Sequence, residues 1–309
     1  MSKLTVIICT HRPHVPHISE TLAALAKQTL PTDQWELWFI GDPETRQIVE
    51  SVGTSWHPQA RFIENPPQGI ARARLRAMRE FLAGPTDLML FVDDDNLLAP
   101  DYLETGLAIG EREPKLACWG GQLVGRFAVP PPEWIGPFLK YLAVFPLERE
   151  LRLKDSFKDN YDCVPPTAGM FMRRVLADQH LRMLDQKPEH LALGGSRGAP
   201  IGGEDMDIGL SALDIGYEAA RFPQLTITHL MPAERLTVEY MCKLMRSIRT
   251  GTLLLGALRG VGLKPRSRFA LWRDRMRAAR LPNPHRQFME AEIEGELHAR
   301  RLIAALPRK

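Results

Sequence analysis

The sequence predicts an α/β fold: a Rossmann-like, mostly parallel sheet flanked by helices, followed by a helical C-terminal extension. Three observations predict it. Short apolar, β-branched runs alternate with amphipathic stretches over the first ninety residues in β-α-β-α-β-α-β order, the pattern of a parallel sheet with helices on both faces. At 309 residues, 44% hydrophobic and 25% charged, the chain is long enough for one large α/β domain with an appendage. From Lys243 to Lys309 there are 16 Lys and Arg against 5 Asp and Glu, a net of +11, so with +3 overall residues 1–242 carry −8. The expected division is therefore a sheet domain over 1–232 and a basic helical extension over 233–309.

The elements follow in order. "KLTVIIC" (Lys3–Cys9) is a buried strand, and "HRPHVP" a turn-forming loop. "ISETLAALAKQ" has Leu22, Ala23, Leu25 and Ala26 at helical spacing. "WELWFIGD" reads as a strand ending at Gly41-Asp42, "TRQIVESV" as a short helix and "ARFIEN" as a third strand. "GIARARLRAMREFLAG" is the clearest helix, with Ile70, Ala73, Ala77 and Phe81 on one stripe and Arg72, Arg76 and Arg79 turned away. "DLMLFV" is the next strand. Beyond residue 100 come the helix "DYLETGLAIGERE", the strand "ACWGGQLVGRF" with a Gly-Gly break, and the loop "VPPPEWIGPF". "TAGMFMRRVLA" runs from strand into helix, "PIGGEDMDIGLSALDIG" from a Gly-rich loop into a helix, and "AARFPQLTITHLMP" forms a strand ending at His229. From Leu236 the chain is helical and Arg-rich.

Composition excludes several function classes. A net charge of +3 is too small to argue for nucleic acid. Cys9, Cys118, Cys163 and Cys242 lie far apart with no C-x-x-C, which reads as reduced cysteines in a cytoplasmic protein. "MSKLTVIICTHRP" is too short and strand-like for a signal peptide. "GTLLLGALRGVGL" is broken by Arg259 and well short of the roughly 20 residues of a membrane span.

Ligands of parallel sheets bind outside the carboxyl ends of the strands. Three ends should open on one edge: Cys9-Thr10-His11, Gly41-Asp42 and Asp93-Asp94-Asp95. Three adjacent carboxylates repel and call for a counter-charge. In strand geometry Asp93 and Asp95 share a face and Asp94 turns away. Two convergent carboxylates suit a divalent cation, Mn²⁺ or Mg²⁺, shared with substrate phosphates; a solvated acidic turn is the alternative. In "GGEDMDIGL", Glu204 and Asp205 sit just before a helix: Asp205 or Asp207 could be an ordinary N-cap, or an acid here could serve as a general base. His229 could complete a carboxylate–phosphate site or be structural. Asp42 could bind a base or ribose, or merely open an Asp-Pro turn. Arg72 and Arg74, near a helix N-terminus, favour phosphate; a solvated helix face is the alternative for either one alone. His11, His14 and His17 flank Pro16 in a loop and are discounted as a metal cluster. Neither a G-x-x-x-x-G-K-[ST] loop nor a dinucleotide G-x-G-x-x-G follows the first strand.

Taken together, "VIICTHRP", "LWFIGDPE", "GIARARLRA", "FVDDDN", "TAGMFMRR", "GGEDMDIGL" and "THLMPAERLT" resemble, in order, the motifs of a family 2 type nucleotide-sugar glycosyltransferase with the GT-A fold, over about residues 3–240. The resemblance implies transfer of a sugar from a nucleoside-diphosphate donor to an acceptor hydroxyl, on a glycan, lipid-linked glycan or other glycoconjugate. It implies that Thr10 and Asp42 contact the nucleoside, that Asp93 approaches ribose or metal, and that Asp95 binds the cation with His229 completing the set. Arg74 and Asp94 join the donor side. Asp205 becomes the general base, with Glu204 positioning the acceptor. Two departures stand out: Leu75 replaces the usual Asn after Arg74, and Pro43 follows Asp42 in place of a small polar residue.

Two other readings compete. A sugar-phosphate nucleotidyltransferase would favour a Gly-rich basic loop after the first strand, and "CTHRPHVPH" has no glycine. A non-catalytic nucleotide-sugar-binding protein would be expected to lose carboxylates that this chain keeps. The basic extension suggests peripheral docking on the inner face of an anionic membrane through Arg268, Arg273, Arg275, Arg277 and Arg280, with Phe269, Leu271 and Trp272 as apolar contacts; a helical lid packed on the sheet domain is the alternative. Specificity should sit in "VPPPEWIGPF" and "LGGSRGAPIGG".

Overall fold

Apolar runs at the chain's start form the centre of the sheet. β1 (Leu4–Cys9), β2 (Trp35–Gly41), β3 (Ala60–Glu64) and β4 (Leu88–Val92) are joined by α1 (Val15–Leu25), α2 (Pro43–Val52) and α3 (Ile70–Ala83). The computed structural model describes residues 3–65, 69–154, 161–195, 201–260 and 264–307. β1 and β4 are buried at every position because helices cover both faces, which is why they read as unbroken apolar runs. β1 pairs in parallel with β2 and β4, and β2 with β3.

The second half of the sheet is mixed. β5 (Asn96–Leu98), α4 (Tyr102–Arg112), β6 (Leu116–Phe127), β7 (Leu151–Leu153), β8 (Met170–Arg173) and α5 (Arg174–Gln186) follow, then α6 (Glu204–Leu213) and β9 (Glu218–Met231). The strand order is β3-β2-β1-β4-β8-β6-β9-β5, with β7 also on β9. β8 lies antiparallel between β4 and β6, while β6 and β9 run parallel. The Gly120-Gly121 break in β6 coincides with a register shift between Gly121 and Gln122. β5 pairs antiparallel with β9, placing Asn96 opposite His229. That pairing carries the turn after β4 to the end of β9.

Side-chain alternation along the strands divides the core in two. Ile7, Trp38, Met89 and Phe91 pack with Phe81 of α3 on one face. Val6, Ile8, Phe39 and Leu90 pack with Leu22 of α1 and Tyr102 of α4 on the other. Tyr102, Phe171 and Trp119 form a stack there, with ring centroids 5.7 and 5.4 Å apart. Ile70, expected on the apolar stripe of α3, is instead 41% exposed; the stripe begins at Ala73, one turn further in. The loop "VPPPEWIGPF" contains the start of a 3₁₀ stretch, Glu133–Leu142.

Three helices complete the chain: α7 (Val238–Arg259), α8 (Arg268–Ala278) and α9 (His285–Ala304). α7 is part of the main body. Its Leu254 and Leu255 join the core that holds Leu176 of α5 and Ile208 of α6. Met241 and Met245 of α7 pack with Phe288 of α9, Ile135 and Met231. Gly251 lets α7 approach the loop before α6 closely: a Cβ there would lie 1.9 Å from the Gly202 carbonyl oxygen. No helix among the described residues is long and apolar enough to cross a membrane.

Candidate active site

β4 ends at Val92, and the three carboxylates that follow occupy a turn closed by the Asn96 amide donating to the Asp93 carbonyl at 3.2 Å. Strand alternation therefore stops one residue too early to sort them. Each points to a different partner. Asp93 Oδ1 accepts from Arg74 Nη2 at 3.1 Å. Asp94 Oδ2 accepts from the Thr10 hydroxyl at the end of β1. Asp95 Oδ1 accepts from Asn96 Nδ2 at 2.8 Å, and its Oδ2 lies 2.8 Å from Arg235 Nη2 and 3.5 Å from His229 Nε2. Asp94, which alternation turned away from Asp93 and Asp95, is thus held in place by Thr10.

The missing counter-charge is supplied from two sides. Arg74 is buried, and besides Asp93 it donates through Nη1 to Glu204 Oε2 at 2.9 Å. A single guanidinium so links the turn after β4 to the start of α6, with Glu204 130 residues from Arg74 in sequence. The expectation of a phosphate-facing Arg74 gives way to an arginine engaged by two carboxylates. Arg235 serves the other side. Its Nη1 donates to His229 Nε2 at 2.9 Å while Nη2 meets Asp95. Among the described residues, His229 Nδ1 is buried without a partner.

These environments separate the carboxyl pKa values. Burial pushes Asp94 up to about 6 against the Thr10 hydrogen bond, with Asp95 and Asp93 adding repulsion. Burial also acts on Asp95, but His229 and Arg235 outweigh it and hold that carboxyl below its usual range. Glu204 and Asp205 are both raised by burial, opposed in part by Arg74.

Glu204 and Asp205 open α6, whose N-cap is Gly203 with φ of +98°, a conformation a side chain would strain. Asp205 Oδ1 accepts from the Met206 amide at 2.9 Å. Glu204 Oε1 is buried and unpartnered. Asp207, offered by the sequence as an N-cap, is no cap. It is buried, with Oδ2 2.8 Å from His190 Nδ1 and Oδ1 accepting from Arg259 Nε at 2.5 Å, which ties α7 to α6.

Asp42 does cap α2, accepting through Oδ1 from the Thr45 amide and hydroxyl at 2.8 and 2.7 Å. Its Oδ2 is 2.8 Å from His11 Nδ1. Burial raises this carboxyl, but the Thr45 bonds and His11 lower it more. His14 and His17 meet edge-on at 4.5 Å, apart from the His11–Asp42 pair. Residues 196–200 of "LGGSRGAPIGG" lie outside the described residues.

Sequence reasoning missed Arg235, which looked like one more charge at the start of a basic tail. The available signal was arithmetic: three adjacent carboxylates need more than one cation. It also missed the buried group behind α6, where His180 Nδ1 lies 3.0 Å from Ser211 Oγ. Burial pushes the His180 pKa from 6.5 to about 4. The unfolded chain therefore takes up this proton first as pH falls. Its contribution to stability is complete above about 6.5 and lost towards about 4, a difference of about 3 kcal/mol. In urea unfolding, wild type should lose that much more stability between neutral pH and pH about 4 than His180→Gln; equal losses would remove His180 as the cause.

Asp95 Oδ2 and His229 Nε2, 3.5 Å apart, converge well enough to ligate one hard divalent cation. Among the described residues no group of three or more His, Cys, Asp or Glu side chains could hold a metal ion. Two protein donors are fewer than a divalent cation's full shell, so substrate phosphates and water would have to supply the rest.

Residues 5–179 match the family model for Glycosyl transferase family 2. No curated protein matches the sequence. Among solved structures, the mannosyltransferase PcManGT from Pyrobaculum calidifontis, in complex with GDP-Man and Mn2+, is similar at 18% identity and TM-score 0.55, covering 98% of this chain and 73% of that one. S. aureus TarS 1-349 in complex with UDP-GlcNAc is similar at 15% identity and TM-score 0.53, covering 94% and 79%. Against the longer S. aureus TarS structure the chain spans 42% of that protein's length. With the family model matching more than half of its length and the sheet and helices arranged as in these neighbours, the chain belongs to glycosyl transferase family 2 and has the GT-A glycosyltransferase fold.

Proposed function

We propose that the protein transfers a sugar from a nucleoside-diphosphate sugar to an acceptor hydroxyl with inversion at the anomeric carbon, Asp205 acting as general base. The observation that carries this reading is the Asp93–Arg74–Glu204 bridge, which sets the Asp93–Asp95 turn and the Glu204-Asp205 pair beside one edge of the sheet. Thr10 and Asp42, at the ends of β1 and β2, face the nucleoside. Asp93 and Asp94 flank the donor's ribose and phosphates, and Arg74 fixes the spacing between donor-side and acceptor-side acids. Asp95 and His229 hold a divalent cation, Mn²⁺ or Mg²⁺. Such an ion supplies Lewis-acid neutralisation of charge on a departing diphosphate. Asp205 Oδ2, free of the Met206 amide, takes the proton from the acceptor hydroxyl. One base and one displacement give inversion. The ligands of the two structural neighbours, GDP-Man with Mn2+ and UDP-GlcNAc, support a donor of this chemical class.

Residues 1–232 carry this machinery in the proposal, and 233–309 extend it with α7 closing behind α6. The acceptor is a glycan, lipid-linked glycan or other glycoconjugate, and the basic extension brings the enzyme to the cytoplasmic face of a membrane. Thermal unfolding against a panel of nucleotide sugars with Mn²⁺ tests the donor. A ligand at about 100 times its Kd adds about 2.7 kcal/mol, a shift of several degrees. If no nucleotide sugar raises Tm, the reading fails.

Arg235 gives a second test. Its guanidinium lies across both proposed cation ligands, so an incoming cation must displace a positive charge already there. Repulsion of this kind at about 4 Å is worth on the order of 1–4 kcal/mol. Arg235→Gln should therefore bind Mn²⁺ without nucleotide about tenfold more tightly than wild type, as read by calorimetry. Equal affinities would show that Arg235 does not guard the site.

A further inference from the structure

α8 has two apolar faces, and only one is covered. Leu271, Asp274 and Ala278 are buried. Asp274 is held there by Arg266 Nη1 at 2.7 Å, which fixes the rotation of the helix. At 100° per residue, Phe269, Trp272 and Met276 fall on the opposite side. They are 70%, 57% and 47% exposed, and the rings of Phe269 and Trp272 stack with centroids 5.7 Å apart. Leu281, just past the helix, is exposed as well. Only eight large apolar side chains are exposed among the described residues, and three of them share this one face of α8, so the patch is local and not ordinary surface scatter. Leu271, which the sequence grouped with Phe269 and Trp272, belongs to the anchoring face.

Arginines line both flanks of the patch. Arg268 and Arg275 fall on one side by helical angle, Arg273, Arg277 and Arg280 on the other, and all five are exposed. Among the described residues only Arg273 has a carboxylate within ion-pair range, Asp274 at 3.9 Å.

We infer that α8 is a docking helix for an anionic lipid surface, inserting Phe269, Trp272 and Met276 at the headgroup boundary while the flanking arginines bind the headgroups. This deepens the membrane contact of the proposed function by assigning it to one face of one helix. Charge selects the occupant. A second copy seated on this face would bring two sets of five arginines together, four of each set without an ion pair among the described residues, whereas an anionic bilayer offers both negative charge and a place for the aromatic rings.

Flotation of the full-length chain with vesicles tests the inference, using phosphatidylcholine alone and phosphatidylcholine mixed with phosphatidylglycerol. Wild type should float with the mixed vesicles and not with the neutral ones. Each arginine near an anionic surface contributes roughly fivefold to partitioning, so Arg273→Gln with Arg275→Gln should reduce binding about 20-fold. Phe269→Ser with Trp272→Ser should reduce it by about tenfold or more, with the thermal unfolding midpoint unchanged because both rings are outside the core. Wild type that ignores anionic vesicles, or variants that float as wild type does, would overturn the inference. So would a wild-type dimer that Phe269→Ser and Trp272→Ser dissociate. Binding is read without any nucleotide sugar, so failure here leaves the transferase reading intact, and failure of the donor panel leaves this one intact.

Discussion

Asp205→Asn should bind the nucleotide-sugar donor as wild type does and transfer the sugar ~10²-fold or more slowly, the scale of a general-base contribution. The substitution changes little else. Asparagine keeps the size of the side chain, and its amide oxygen still accepts from the Met206 amide, so the first turn of α6 survives. What disappears is a carboxylate oxygen able to take a proton. Burial raises the Asp205 pKa above its ordinary 3.8, against the pull of Arg74, which makes its carboxylate a stronger base for the proposed role. The transfer rate of wild type should fall as pH drops through this raised value, because the protonated acid has nothing to accept with. The acid limb assigned to Asp205 should be missing from the residual rate of the variant. Calorimetry reports donor binding, and single-turnover product formation across pH reports transfer. Turnover near wild type would remove Asp205 from the role.

Local patterns made the fold legible, and distant pairings hid the rest. The runs at Leu4–Cys9, Trp35–Gly41 and Leu88–Val92 announce themselves because both faces of each strand are covered, so nothing polar interrupts them. β5 and β7 are three residues long, too short for any period to emerge. The antiparallel insertion of β8 between β4 and β6 leaves no trace in periodicity, since "MFMR" reads the same in either direction. At the site, the Asp triplet, Glu204 and His229, all singled out by residue type, share the partners Arg74 and Arg235 or lie next to residues that do. Their division of labour did not follow from spacing. Alternation separates Asp94 from Asp93 and Asp95 only while the chain remains a strand, and it turns at Asp93. Arg74 looked like a phosphate ligand because its helix start is visible in sequence, whereas Glu204, which engages it, is 130 residues away. His190 and Asp207 are joined by packing between separate segments, and no motif marks such a pair.

The cost of losing Arg74 should show first in stability. Arg74→Ala is expected to destabilise the protein by about 3–5 kcal/mol near pH 8, the range for stripping one partner from a buried ion pair. Two carboxylates lose their counter-charge at once. Asp93 loses Nη2, and Glu204 loses Nη1 while its other oxygen, Oε1, is already buried without a partner. The effect has a definite dependence on pH. Burial raises the Glu204 pKa and Arg74 lowers it, so removing the guanidinium raises it further. A carboxyl whose folded-state value lies above its unfolded value contributes stability at low pH and loses it as pH rises through the folded value. Arg74→Ala should accordingly lie much closer to wild type at pH about 5 than at pH about 8. Adding Glu204→Gln and Asp93→Asn should recover part of the loss at the higher pH, because neutral amides need no counter-charge. A purely steric role for Arg74 would make a different prediction: a cavity costs the same at both pH values, and neutralising the acids would not repair it. Urea unfolding of the single and triple variants at the two pH values separates these cases. A loss below about 1 kcal/mol that does not change with pH would mean that the Asp93–Arg74–Glu204 bridge is not what holds the turn after β4 to the start of α6.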